Sequence, residues 1–367
     1  MPTQRPDRAS EVEAAEPGRT PSIYEVGRQA GVSVATVSRV LNGKGPVRTE
    51  TRQRVLDAVA ALNYVPHSAA RSLSTRRTMS IGVLLPDMHG AFFSELVRGI
   101  DLAARAAGYH LLVSGSHSDQ AETAAVLQAL HGRVDGLILM TPALGGGGSL
   151  RASLPRRVPV VLLNDHGNGD GHDTMRIDNR HGARLAVEHL LALGHRAVAF
   201  IAGPPDNADA LERLRGYRQA LRSHGIAAPA RLELAGDFAE ESGVRAGERI
   251  ARLDPRPTAV FAANDAMAIG CLAALREHGL NVPKDVSLVG FDDIPIARYL
   301  TPALTTVQVP IAELGRQAMA RLLHRIERPA GGPAAHAVIA PTLAIRASAI
   351  PAGRLAKQSR TTRRKSS

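Results

Sequence analysis

The stretch Gly31-Val32-Ser33-Val34-Ala35-Thr36-Val37-Ser38-Arg39-Val40-Leu41-Asn42 decides how the N-terminal region folds. Gly31 suits the left-handed residue that ends a helix, and Ser33 is a good cap for the next one, running to about Leu41. Asn42-Gly43-Lys44-Gly45-Pro46 then has to be a loop. Upstream, Ser22-Ile23-Tyr24-Glu25 has the form of a capping box, which predicts a helix from Ile23 to about Ala30. Downstream, a helix over about Glu50 to Leu62 places Val55, Leu56, Val59 and Leu62 on a face that closes over the first pair. Two short helices joined by a tight turn and covered by a third make a helix-turn-helix domain.

Charge singles out the same region. The 367-residue chain carries a formal +11, distributed very unevenly. From Ser22 to Arg77, nine basic residues face three acidic ones, a net +6; the tail from Ala352 to Ser367 adds another +6 with no acid. Residues 1–21 contribute −1 and the long stretch 78–351 is neutral. A localised basic patch on a folded domain attracts phosphate, whereas a basic tail of Ser, Thr and Lys reads equally well as solvated chain.

Asn63-Tyr64-Val65-Pro66 breaks the third helix, and His67 to Thr75 is too short to hold a helix without a partner. Beyond Met79 the pattern alternates. Strand-like runs Ile81–Leu85, Leu111–Ser114, Gly136–Met140, Val158–Leu163, Ala197–Ala202, Ala259–Ala262 and Val286–Val289 are interleaved with amphipathic stretches. The predicted helices are Phe92–Ala107, Gly182–Leu193, Ala208–His224 and Asp265–His278. Strands this apolar belong to parallel sheets covered on both faces, and so many residues of βαβ pattern imply two lobes. The expected organisation is a disordered extension (1–21), a helix-turn-helix domain (22–66), a linker (67–77), a two-lobed α/β body (78–351) and a basic disordered tail (352–367).

Several classes of function are excluded or disfavoured. No apolar run approaches the ~18 residues of a membrane span, and residues 1–19 lack the apolar stretch of a signal peptide, so a soluble cytoplasmic protein is expected. Cys271 is the only cysteine, ruling out an intramolecular disulfide or thiolate zinc cluster, and its apolar helical setting predicts a buried core residue. There is no Gly-x-Gly-x-x-Gly, no phosphate loop and no Gly-x-Ser-x-Gly elbow, so no enzyme and no cofactor is expected. Asp165, His166, Asp170, His172 and Asp173 have the composition of a metal site. They lie in a Gly-rich stretch without helical spacing, which predicts a solvated loop instead and no metal. Gly145–Gly148 reads as a flexible loop.

The motif from Gly31 to Asn42, with Ile23-Tyr24-Glu25-Val26 before it and Asn63-Tyr64-Val65-Pro66 after it, resembles the lactose, galactose and purine repressor (LacI/GalR) family of bacterial transcription regulators. Ala70-Arg71-Ser72-Leu73, Ala263-Asn264-Asp265 and Gly290-Phe291-Asp292-Asp293 follow in that family's order, and the resemblance covers about residues 22–345. Gly27 departs from it, because the family usually has Ala inside the first helix, where Gly costs ~1 kcal/mol.

The resemblance implies a second helix lying in the major groove of double-stranded DNA, with Val34, Ala35, Thr36, Ser38, Arg39 and Asn42 on the contact surface. Val34 and Ala35, at the family's specificity positions, offer apolar contacts such as a thymine methyl, while Arg39 suits guanine or phosphate. It implies further that Ala70, Arg71 and Leu73 belong to a hinge helix whose Leu73 wedges between base pairs from the minor groove. A homodimer reading a near-palindromic operator follows, and no C-terminal leucine heptad supports a tetramer. The neutral body resembles the periplasmic-binding-protein fold, with a small effector in the cleft beyond the carboxyl ends of the strands. By that rule and the family motifs the candidates are Phe92, Phe93, Asn164, Arg213, Phe238, Asn264 and Asp292. They suit a sugar first and a purine or nucleoside second. A repressor is expected; the alternatives are an activator on the same scaffold or a solute-binding protein.

Overall fold

The computed structural model describes residues 21–43, 45–64, 77–116, 119–140, 154–155, 158–167, 169–328 and 332–353. Ala70, Arg71 and Leu73, expected in a hinge helix, Gly145–Gly148, expected in a loop, and all but the first two residues of the basic tail lie outside them, as does nearly all of the N-terminal extension. The chain divides into two compact units at Thr78/Met79.

The first unit holds α1 (Ile23–Ala30), α2 (Val34–Leu41) and α3 (Thr49–Ala61). The capping box forms as the sequence predicts. Glu25 N donates to Ser22 Oγ at 3.4 Å and Ser22 N donates to the Glu25 carboxylate at 2.6 Å. Gly31 ends α1 at φ 64°, and Ser33 caps α2 by accepting from Thr36 N at 3.3 Å. Val26, Ala30, Val37, Val40, Val55, Ala58 and Tyr64 form the buried core, with Leu41, Val59 and Leu62 packed at its edge. Leu56 corrects the predicted closing face: it is 43% exposed. The helical repeat carries the face through Val55, Ala58, Val59 and Leu62, and Leu56 stands about 100° away from Val55.

The second unit holds two six-stranded sheets. The first contains β1 (Ser80–Leu85), β2 (His110–Gly115), β3 (Gly136–Met140), β4 (Val160–Leu163), β5 (Asp173–Ile177) and β11 (His336–Ile339), in the order β11-β5-β4-β3-β1-β2, all parallel. The second contains β6 (Val198–Ile201), β7 (Glu233–Leu234), β8 (Ala259–Ala262), β9 (Ser287–Asp292), β10 (Thr305–Gln308) and β12 (Thr342–Ala344), in the order β12-β10-β9-β8-β6-β7. Only its edge strand β12 is antiparallel. The central strands are buried along their whole length, as parallel strands sandwiched by helices must be.

Among the described residues the α-helices of this unit are α4 (Ala91–Ala106), α5 (Gln120–Leu130), α6 (Asn179–Ala192), α7 (Ala208–Ser223), α8 (Glu240–Arg252), α9 (Asp265–Glu277) and α10 (Ile311–Glu327). Helix α10 returns from the second lobe to cover the first, packing so closely on α4 that a Cβ on Gly99 would stand 2.0 Å from the Ala312 carbonyl oxygen. The chain crosses between lobes three times: between β5 and β6, between β10 and β11, and between β11 and β12. Among the described residues no helix is long and apolar enough to cross a membrane. Cys271 is fully buried, which pushes its thiol up to about 12.

The acidic, histidine-containing stretch is a second correction. Its described residues are not a solvated loop. Asp165 is buried and accepts from Gly169 N at 3.2 Å, and Asp173 opens β5 in an ion pair with Arg325 at 2.7 Å. No cluster of metal-binding side chains occurs among the described residues.

Candidate functional site

On the first unit, α2 presents Ala35 and Arg39 exposed to solvent, with Val34, Thr36, Ser38 and Asn42 half-buried beside them. Val37 and Val40 are turned into the core. The Thr36 hydroxyl meets the Ser33 hydroxyl at 3.0 Å, and Asn42 Nδ2 donates to Ser38 Oγ at 3.2 Å. Among the described residues the Arg39 guanidinium has no hydrogen-bond or ion-pair partner. Arg28, Arg48 and Arg54 are also exposed on this unit, which gives it the cationic surface that the charge distribution predicts.

In the body, one cavity of about 100 Å³ is walled by both lobes, several times the ~10–15 Å³ that one water needs on this measure. All seven residues expected at an effector site line it: Phe92, Phe93, Asn164, Arg213, Phe238, Asn264 and Asp292. Pro86, Met140, Asn207 and Asp209 complete the wall and escaped the sequence reading. Each of these four ends a strand or follows one, Pro86 after β1, Met140 at the end of β3, and Asn207 and Asp209 after β6. The carboxyl-end rule applied to every strand finds Pro86 and Met140; Asn207 and Asp209 lie six and eight residues past the end of β6, beyond the positions that rule selects.

Each lobe contributes distinct chemistry. At the start of α4, Phe92 and Phe93 meet edge to face with centroids 5.5 Å apart. From the second lobe comes Phe238, held at φ 73°, a conformation uncommon for an aromatic residue. Gly203 leaves the space its ring occupies, since a Cβ there would fall 2.5 Å from Phe238 Cζ. Asn264 caps α9 through its side-chain oxygen (Met267 N at 3.0 Å), and its Nδ2 donates to the Phe238 carbonyl at 2.8 Å, fixing the backbone that carries that ring.

Arg213 lies on α7 and is almost wholly buried. Its Nε donates to Asn179 Oδ1 at 2.8 Å and its Nη1 to the Ala263 carbonyl at 2.5 Å, while its Cζ lies over the Phe291 ring, 3.8 Å from the centroid. Its Nη2 stands 3.4 Å from Asp292 Oδ1, close enough for an ion pair and not aligned as a hydrogen bond. Burial therefore dominates Asp292, raising its carboxyl to about 7, with Arg213 opposing the rise and Asp209 adding to it. Asp292 closes β9 at φ 109° and Asn164 follows β4 at φ 53°, so three of the lining residues hold left-handed backbone. Conformations of this kind persist where the surrounding structure over-determines them, as it does at binding clefts. Asp265, also beyond a strand end, does not line the cavity. It is fully buried, accepts from Thr306 Oγ1 at 2.6 Å and Ile294 N at 2.9 Å, and burial raises its carboxyl well above the ordinary range.

Asp209, in the first turn of α7, gathers donors from both lobes. Asn164 Nδ2 reaches one oxygen at 2.7 Å; His166 Nε2 and Asn179 Nδ2 reach the other at 2.7 and 2.8 Å. His166 and Asn179 were not among the sequence candidates. The result is a small polar cavity with aromatic walls, two carboxylates, amides, and one guanidinium whose nitrogens already have partners within the protein.

Residues 22–67 match the family described as "Bacterial regulatory proteins, lacI family", and residues 187–349 match "Periplasmic binding protein-like domain". The chain is 38% identical to the ribose operon repressor of Escherichia coli K12 over 84% of this chain and 94% of that one. It superimposes with a TM-score of 0.81 on the lac repressor dimer bound to operator and an anti-inducer, at 31% identity, covering 90% of this chain and all of that one. A LacI-family regulator of Enterococcus faecium with bound ribose gives a TM-score of 0.67 at 29% identity, over 74% of this chain and 99% of that one. With a lacI-type helix-turn-helix domain, a periplasmic-binding-protein-like body and whole-length likeness to repressors, this chain belongs to the LacI family of bacterial transcriptional regulators.

Proposed function

We propose that this protein is a homodimeric transcriptional repressor that binds a near-palindromic operator through α2 and the Ala70–Leu73 segment, and that an uncharged sugar in the cleft controls its hold on DNA. The observation that carries the effector half is the convergence of all seven candidate residues, from both lobes, on one cavity. Adjacent hydroxyls match the alternating carboxylate, amide and guanidinium groups, and the C–H face of a sugar ring packs on Phe92, Phe93 or Phe238. The cavity offers no uncommitted cation for a phosphate, which favours a neutral ligand. The ribose bound to the Enterococcus faecium regulator agrees with that class.

A ligand held by both lobes favours one lobe arrangement, and DNA affinity changes only by the ligand's differential affinity for the two arrangements. A coupling of ~1–3 kcal/mol gives ~5–150-fold control and is reciprocal. The test is a melting-temperature screen of the full chain against neutral sugars, nucleobases and nucleosides, followed by gel-shift titration of genomic fragments with any ligand that binds. A neutral sugar that raises the melting temperature and shifts operator affinity is the expected result. Binding by a purine alone replaces the sugar reading. Absence of any preferred fragment, with and without every such ligand, refutes the regulator reading.

A further inference from the structure

The loop leaving β4 belongs to the first lobe and α7 to the second, and a single carboxylate joins them. Asp209 on α7 receives Asn164 and His166 from across the cleft, each at 2.7 Å, and Asn179 from its own side at 2.8 Å. Asn164 lines the cavity, almost wholly buried and with its amide bonded to Asp209 and the Ile177 N–H; His166 does not line it and is mostly buried, its side chain 17% exposed. We propose that His166 is a positioning residue that clamps Asp209 across the cleft, so that its proton sets how firmly the two lobes are tied around the ligand. This rests on the cleft being the effector site, as proposed above.

The physical basis is the dependence of a hydrogen bond on charge. A neutral imidazole with its proton on Nε2 donates an ordinary bond to the carboxylate, and an imidazolium donates a charge-assisted one, roughly twice as strong. The groups around His166 set its titration. The bond to Asp209 raises it most, loss of hydration lowers it, Asp209 and Glu212 on α7 raise it by their charge, and Arg176 on β5 lowers it. Glu212 is itself neutralised by Arg180 at 2.8 Å and by Arg215, and Asp165, next in sequence, is engaged by Gly169 N. A histidine raised above its ordinary value holds its extra bond strength fully below that value and loses it as pH rises through the raised one. The tie is therefore firm in mild acid and slack in mild alkali. The same contact gives the acidic, histidine-containing stretch after β4 a role as a lobe-joining connection.

The test uses the full-length chain with isotope-labelled histidine, the His166 signal being assigned by its loss in His166→Gln. His166 should titrate above the ordinary 6.5, and Asp209→Asn should bring it to that value or below. Should Asp209→Asn fail to fold, the melting temperatures of wild type and His166→Gln decide instead, with a wild-type advantage at pH 6 that is gone by pH 8. D-ribose and cellobiose serve as ligand probes: whichever binds should bind roughly threefold to tenfold more weakly at pH 8 than at pH 6 in wild type. In His166→Gln, which keeps a donor and loses the proton, the profile should be flat. A His166 titration at or below 6.5, or identical pH profiles in wild type and His166→Gln, overturns the clamp. Failure of both sugars to bind counts against the sugar reading and leaves the histidine titration to decide the clamp.

Discussion

Replacing Asp292 with Asn should change the slope of stability against pH in a way that follows directly from the geometry. Asp292 is buried at the end of β9, with Arg213 at 3.4 Å as its ionic partner among the described residues, and its carboxyl is raised from 3.8 to about 7. An acid raised in this way binds its proton more tightly folded than unfolded, so stability is greatest below the unfolded value and is lost as pH climbs toward the folded one. At ~1.36 kcal/mol per pH unit over roughly three units, the loss approaches ~4 kcal/mol as a ceiling. Asn keeps the shape and removes the titration. Asn resembles the protonated carboxyl, which gives Arg213 no counter-charge either, so whatever packing cost the exchange carries is constant with pH and offsets the two curves without changing how they diverge. The readout is therefore the difference in melting temperature between wild type and Asp292→Asn from pH 4.5 to 8. That difference should move in favour of the variant as pH rises, at ~2–4 °C per kcal/mol for a domain this size. Two curves that run parallel across this range would refute the account of Asp292 as a buried, weakly paired acid.

Arg213→Gln should abolish the response of DNA binding to any cleft ligand while operator binding itself persists, measured by gel shift with and without that ligand. Arg39→Ala should weaken operator binding by ~1–3 kcal/mol if the contact is to a base. If it grips phosphate, affinity for all sequences should fall together and the salt dependence by about one unit of slope; unchanged affinity at every salt concentration removes Arg39 from the interface. Ser33→Ala deletes the cap that accepts from Thr36 N and should cost the DNA-binding domain ~1 kcal/mol, seen as a lower melting temperature for its helical signal.

The parts legible in the sequence were those whose signal is local. Caps and a glycine turn set α1 and α2, and β3, β4 and β8 announce themselves as unbroken apolar runs. Helix α8 was not read because its buried face is Ser242, Gly243, Ala246, Gly247 and Ile250: small residues fit a close crossing with α9 and leave no apolar period. Strand β10 does not show in the pattern because Thr305 and Thr306, both fully buried, look polar; the Thr305 hydroxyl accepts from Arg346 N and the Thr306 hydroxyl donates to Asp265. Strand β5 was hidden for a similar reason, as its opening Asp173 is neutralised by Arg325, 152 residues later in the chain. In the cleft, aromatic and motif residues could be named, but Asp209 could not, because its significance lies in donors 30 to 45 residues away.

The order in which the chain visits its lobes bears on how it is made. The first sheet is incomplete until β11 arrives, and α10, whose Leu322 and Ile326 cover β3 at Gly136, is translated only after nearly all of the second lobe. A polypeptide emerging from the ribosome thus exposes one apolar face of its first sheet throughout synthesis of the second. A premature stop before Ile311 would strand that face permanently and hand the product to chaperones and proteases. Residues far from both DNA and ligand would in this way govern how much regulator a cell accumulates.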